Sequence, residues 1–385
     1  MSTFRVPVQP SLFAWAIENS GKDPAALYKQ FKSLPSWETG EVLPTYKQLE
    51  DFALATYTPF GDFFLEEAPT VEIPIPDFRT IGNRELSKPT PDLLETIFIS
   101  EQRQEWYRNH ALSSGAEPLS FVGSLTIQDN IYSAAKSIRE QLQFTMPERR
   151  QDSSWNAALR RLIDTAEEAG ILVMVSGIVG LNTSRPLNPD EFRGFALADS
   201  LAPLVFVNGT DTKAAQIFTL VHEICHVWLG QTALTDSFIS TAEINKTELW
   251  CNRVAAEVLV PKNSLSGNFD GSVEAEELER LARIYKVSTL VVLKSIYDAG
   301  LLTWEKFLTA YDEEHSRIRK ILSKKPKSTG GDFYNTHPLR VSRRFAKAVI
   351  NDTKTGRTLH RDAYRLLGTK KYETFAKLGE KVGVN

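Results

Sequence analysis

Two of the chain's six histidines, His222 and His226, stand four residues apart in FTLVHEICHVWLG (Phe218–Gly230), with Glu223 directly after the first. On an α-helix residues i and i+4 lie about 40° apart around the axis and one turn along it, so both imidazoles can face one ion. Glu223, about 100° from His222, can reach a water on that ion without being a ligand. A zinc hydrolase needs such a set. Zinc lowers the pKa of its water toward about 7 and polarises a carbonyl, while a nearby carboxylate carries the proton to the leaving amine.

A catalytic zinc also takes a third protein ligand and keeps one position open. Glu248, 22 residues beyond His226 in TELWCNRVAAEVLVP, is the preferred third ligand. Asn252, one helical turn on and therefore on the same face, is suited to orienting a histidine. Glu257, more than two turns along and within an apolar run, is the competing ligand. Cys225 lies about 300° around the helix from His222. A Cys ligand would close the site, so Cys225 and Cys251 read as small core residues.

The elements that must hold these residues follow from the apolar patterning. Trp155 to Gly170 reads as a helix ending at a glycine. ILVMVSG (from Ile171), FRGFALAD and PLVFVN read as strands, and Thr212 to Leu229 as the helix of the histidine pair. Glu248 to Val260 is a further helix stopped by Pro261. The fold class expected is α+β, mostly α: a small sheet with the histidine helix, flanked by helical N- and C-terminal regions.

Residues 1–70 read as a unit of three short helices: one introduced by Pro10, one capped by Asp23 with Pro24 in its first turn, and one over Thr45 to Thr56. Residues 71–150 hold a proline-rich connector and helices over Asp92 to Ser113 and Asp129 to Gln143. The core extends over 151–310, with a helical pair in EAEELERLARIYKVSTLVVLKSIYDAGLL, and 311–385 form a basic extension. There KKPKSTGGDF reads as a loop, and Arg343 to Ile350 and Arg361 to Leu367 as helices.

Composition narrows the class. At 385 residues, with 42% hydrophobic and 24% charged residues, the chain reads as globular. The start, MSTFRVPVQP, lacks a secretory pattern, no apolar run spans a bilayer, and two cysteines make no disulfide framework. A cytoplasmic protein is expected. The net charge of −3 hides an asymmetry: residues 315–385 carry 18 Lys and Arg against five acidic residues, a local +13, leaving −16 elsewhere. The tail is thus a candidate surface for nucleic acid or an acidic protein.

The stretches FTLVHEICHVWLG, GFALADSLAPLVFVNG and ELWCNRVAAEVLVP together resemble the ImmA/IrrE family of metallopeptidases, the last matching an E-x-x-x-N-x-x-A-A-x-x-L-x-P pattern. The resemblance implies a minimal gluzincin-like zinc peptidase core, with His222, His226 and Glu248 as Zn2+ ligands and Glu223 as general base. It also implies that PLVFVN, with Leu204, Val205, Phe206 and Val207, is the edge strand on which an extended substrate pairs. Members of the family cleave repressors or similar regulatory proteins. WETGEVLPTYKQLEDFALATYTPFGDFFL, IPIPDFRT and the tail GGDFYNTHPLRVSRRFAKAVI resemble longer members that join a Xre-like helix-turn-helix region to the peptidase. Some of those resemble antitoxins encoded beside a PIN-like nuclease toxin, so the alternative function is to bind and neutralise such a toxin, with DNA autoregulation. Two features oppose DNA reading by residues 1–70. Only KQFKSLPS separates the second helix from the W-E-x-G turn, and five basic residues meet nine acidic ones, which repels phosphate.

Overall fold

The structure, a computed structural model, describes residues 4–70, 72–77, 89–235, 245–322 and 333–384, with side chains undescribed for 322 and 333–335. These divide into two units, one within Met1–Pro74 and Arg84–Phe98, the other within Ile75–Asn83 and Ile99–Asn385.

The first unit contains α1 (Pro10–Asn19), α2 (Pro24–Gln30), α3 (Leu34–Glu38) and α4 (Tyr46–Thr56). Local chemistry sets the starts. The Asp23 carboxylate accepts from Ala25 N, and Thr45 and Gln48 form a reciprocal capping box on α4. The three expected helices are present, and α3 is an additional single turn that buries Leu34 and Trp37. Phe13 lies at the centre, with ring centroids 5.7 Å from Trp37, 5.6 Å from Phe52 and 5.9 Å from Phe63. Such an aromatic cluster gives a short segment a core that its length would otherwise not supply.

After its Ile75–Asn83 segment the second unit resumes at Ile99 within α5 (Pro91–Ser113) and continues through α6 (Ile131–Gln141), α7 (Met146–Arg149) and α8 (Trp155–Glu168). It then builds β1 (Leu172–Ser176), β2 (Gly194–Leu197), β3 (Leu204–Asn208), α9 (Lys213–Leu229), β4 (Ala233–Thr235) and α10 (Lys246–Leu259). Helices α11 (Lys262–Asn268), α12 (Ala275–Tyr285), α13 (Thr289–Asp298) and α14 (Trp304–Leu322) follow. Four more close the chain: α15 (Phe333–Val341), α16 (Arg343–Lys354), α17 (His360–Leu367) and α18 (Tyr372–Lys381). The expected α+β, mostly α class is the observed one. Of the KKPKSTGGDF loop, residues 324–332 lie outside the described residues, and Phe333 opens α15. No helix among the described residues is long and apolar enough to cross a membrane.

The sheet has the order β1-β3-β2-β4. β3 runs parallel to β1, with Leu172 opposite Leu204, and antiparallel to β2, with Phe195 opposite Phe206. β4 pairs antiparallel with β2, with Gly194 opposite Thr235. This corrects the expectation that Leu204, Val205, Phe206 and Val207 form a substrate-pairing edge. They lie on an interior strand whose backbone is engaged from both sides, and all four are buried. The edge on that side of the sheet belongs to β4.

Packing joins the sheet to the histidine helix. The core gathers Val205 and Val207 from β3, Ile217, Val221, Ile224 and Trp228 from α9, and Val254 and Val258 from α10. Trp228 is fully buried and stacks on Phe121 at 4.3 Å. Burying side chains of that size stabilises the fold by roughly 1.5–3 kcal/mol each, so α9 is among the most firmly held elements.

Candidate metal centre

Both ends of α9 are set by its sequence. Thr212 accepts from Ala215 N at 3.2 Å, and Gly230, at φ +65°, ends the helix in the left-handed conformation. A Cβ at Gly230 would also stand 3.0 Å from Gly123 Cα, so this turn admits only glycine without movement. Between these ends His222, Glu223 and His226 are fully buried.

α10 supplies the third element. Asn245 accepts from Thr247 N at 3.0 Å and starts the helix, which puts Glu248 in its first turn. Two arginines receive the other end: Arg139 donates to Glu257 O at 2.6 Å and the buried Arg149 to Leu259 O at 2.6 Å. Cations at a helix C-terminus satisfy carbonyls that the helix itself leaves open, so α10 is fixed where it would otherwise fray.

The result is a convergence of lone pairs. His222 Nε2 lies 3.1 Å from Glu248 Oε2, His226 Nε2 lies 3.0 Å from Glu248 Oε1, and the two Nε2 atoms are 3.2 Å apart. One ligand atom from each of the three residues falls within 4.8 Å of the others, the only such group among the described residues. Asn252 Oδ1 lies 3.0 Å from His222 Nδ1. A carbonyl oxygen can only accept, so Nδ1 carries the proton there and the His222 Nε2 lone pair is left facing the cluster.

The charges of the group depend on one another. Burial disfavours a charged His222, but the neighbouring Glu248 and Glu223 outweigh it and hold its pKa above the ordinary value. For His226 burial prevails and lowers the pKa. Burial would raise Glu248, yet the two histidines hold it down to about 2. Burial pushes Glu223 up to about 8. Thr235 donates to its Oε1, while its buried Oε2 has no hydrogen-bond partner among the described residues.

These donors fit zinc. Two imidazole nitrogens and a carboxylate are a common catalytic ligand set, and they leave a coordination position for a reactant. Cys225 and Cys251 are buried free thiols outside the cluster, with pKa values raised by burial, as in inert core cysteines. Glu257, the competing ligand, is directed elsewhere: its carboxylate accepts from Lys262 N at 3.1 Å, and it lines a separate cavity of about 330 Å³ with Arg253 and Lys262.

Two contributors were not visible in the sequence. Thr235 sits on a three-residue strand with no periodicity. Gly194 faces the carboxylate of Glu223: a Cβ there would meet Thr219 Cγ2 at 2.7 Å, Phe206 O at 2.9 Å and Glu223 Oε1 at 3.0 Å. The glycine opening GFAL is the one signal that could have pointed to so close an approach.

Comparison with known proteins places this geometry in context. No curated protein and no solved structure matches the chain. Residues 341–381, which contain α16, α17 and α18, match a family model described as a domain of unknown function, DUF8813. Residues 166–297, which contain the sheet, α9 and α10 with every residue of the cluster, match the Peptidase_M78 family model, described as an IrrE N-terminal-like domain.

Proposed function

We propose that the chain is a zinc-dependent endopeptidase of the ImmA/IrrE type, acting on a regulatory protein such as a repressor. The observation that carries this is the convergence of His222 Nε2, His226 Nε2 and the Glu248 carboxylate beside a buried Glu223, one of whose oxygens has no hydrogen-bond partner among the described residues. The match of residues 166–297 to a peptidase family supports the reaction class. The target class rests on the resemblance of the core stretches to the ImmA/IrrE family, whose members cleave repressors or similar regulatory proteins.

His222, His226 and Glu248 would hold the ion, and Asn252 would keep His222 in the tautomer that can bind it. Zinc, when bound, would supply Lewis-acid polarisation and a nucleophile at neutral pH. Glu223 would do the proton work. Thr235 engages Oε1, so Oε2 is the atom available to take a proton and hand it to a leaving amine. Burial raises this carboxyl in the metal-free site, and a bound cation beside it would favour the charged form that can accept a proton. The hydrophobic surroundings of α9 exclude bulk water from the exchange.

Incubation of the full chain, loaded with zinc, with repressors encoded near its gene tests the reading. Cleavage by wild type and its loss in Glu223→Gln are expected. A neighbouring protein that co-purifies in stoichiometric amount and stays intact would instead favour holding over cutting.

A further inference from the structure

β4 ends at Thr235, the residue that donates to Glu223, so its outer edge borders the candidate site. That edge is occupied. On the side away from β2, Leu234 N donates to Pro76 O at 2.9 Å, and Asp77 forms a parallel bridge with Leu234. Ile75, just before, is only 6% exposed, so a buried side chain anchors the segment as well. A second observation is independent of this pairing: His222, Glu223 and His226 are 0% exposed and Glu248 4%, so the cluster is closed to solvent.

We infer that Ile75–Asp77 is a strap that occupies the strand-docking edge of the sheet and is displaced when an extended polypeptide docks there. Its composition suits a displaceable occupant. Pro74 and Pro76 carry no N–H, so at those positions the strap cannot donate to a ladder. An extended segment without prolines can both donate and accept along β4, and so pairs more completely. Proline also discourages further strands from adding to an edge, so the strap shields β4 from indiscriminate pairing until a better partner arrives. The pairing stands on geometry alone, whereas its consequence for catalysis rests on the peptidase reading above.

The test uses the full chain in three forms: wild type, Ile75→Asp, and a form with residues 74–77 replaced by Gly-Ser-Gly-Ser. The replacement removes the strap without placing a charge in the core. The probe is a fluorescent synthetic peptide copying residues 72–77, read by anisotropy, alongside hydrogen exchange at the Leu234 amide. Both altered chains are expected to bind the peptide at least tenfold more tightly than wild type. Their Leu234 amide should exchange at least tenfold faster, with the wild-type rate restored by added peptide. Equal peptide binding and equal exchange in all three chains would overturn the strap, whatever the chains hydrolyse. If the altered chains bind tightly but zinc-loaded samples leave the repressors encoded near the gene intact, the strap stands and the peptidase reading falls.

Discussion

Two groups of buried ionisable side chains in the second unit are satisfied in opposite ways. Where the C-terminal helices pack, Arg103, His337 and Glu167 each meet a complementary group. Arg103 donates to Leu366 O at 3.0 Å and Arg340 O at 3.4 Å, at the C-terminal ends of α17 and α15. His337 donates from Nε2 to Leu367 O at 2.8 Å. Glu167 accepts from Ser342 Oγ at 2.5 Å and Arg344 N at 3.2 Å at the start of α16, where a helix favours an anion. At His222, His226 and Glu248, by contrast, two imidazole nitrogens and a carboxylate, all groups able to ligate a cation, converge at 3.0–3.2 Å. A buried network that pairs donors with acceptors holds a structure together, whereas one that converges lone pairs is built for a cation.

Substitutions on the two sides should therefore differ in kind. The largest effect is expected from Glu223→Gln, which should reduce cleavage by roughly 10²–10⁴-fold while the chain still holds zinc, as measured by single-turnover rates and metal analysis. Glu248→Ala or His226→Ala should remove the ion itself, so that a dialysed sample retains no stoichiometric zinc. Asn252→Ala should weaken zinc binding by about 10–100-fold, read by chelator competition, because His222 loses the partner that fixes its tautomer. Arg103→Met should leave zinc binding unchanged. It should cost about 1–3 kcal/mol in chemical denaturation, since the carbonyls of Leu366 and Arg340 lose their donor. An Arg103 variant that lost zinc would break the contrast.

A pH prediction sharpens the structural side. Burial raises Glu167 to about 7. A carboxyl whose folded pKa is raised binds its proton more tightly when folded, so its contribution is fully present below the ordinary carboxylate range and is lost as pH climbs toward 7. Wild type should lose stability relative to Glu167→Gln between about pH 4.5 and 7, by on the order of 3 kcal/mol, and the gap should be constant above that. Urea unfolding of both chains at several pH values reads this directly, and parallel curves would show that Glu167 does not titrate in that window.

How much of this was legible in the sequence varied with the range of the interaction. The histidine pair, its capping Thr212, the closing Gly230 and the Glu248–Asn252 spacing are written in local helical periodicity, and their structural positions follow it. Strand order is not local. β1, β2 and β3 are buried along their whole lengths, so no alternation distinguishes an interior strand from an edge, and nothing in the pattern of PLVFVN could check the edge role that the family resemblance implies. β4, with three residues, is too short for any periodic signal. The prolines of the connector announced an extended segment, but its pairing with Leu234 depends on residues more than 150 positions away. The charge of the tail was visible as composition. That Arg103 and Glu167 would receive its helices was not, because helix-end carbonyls and amides belong to the backbone and leave no mark on side-chain patterns.

The central claim is that His222, His226 and Glu248 form the site of one zinc ion. X-ray absorption at the zinc edge, on the full chain loaded with one equivalent, tests it most directly. The account predicts a shell of two imidazole nitrogens with light oxygen ligands and no sulfur, lost in Glu248→Ala. A sulfur shell from Cys225 or Cys251, or a chain that retains no zinc at all, would contradict it.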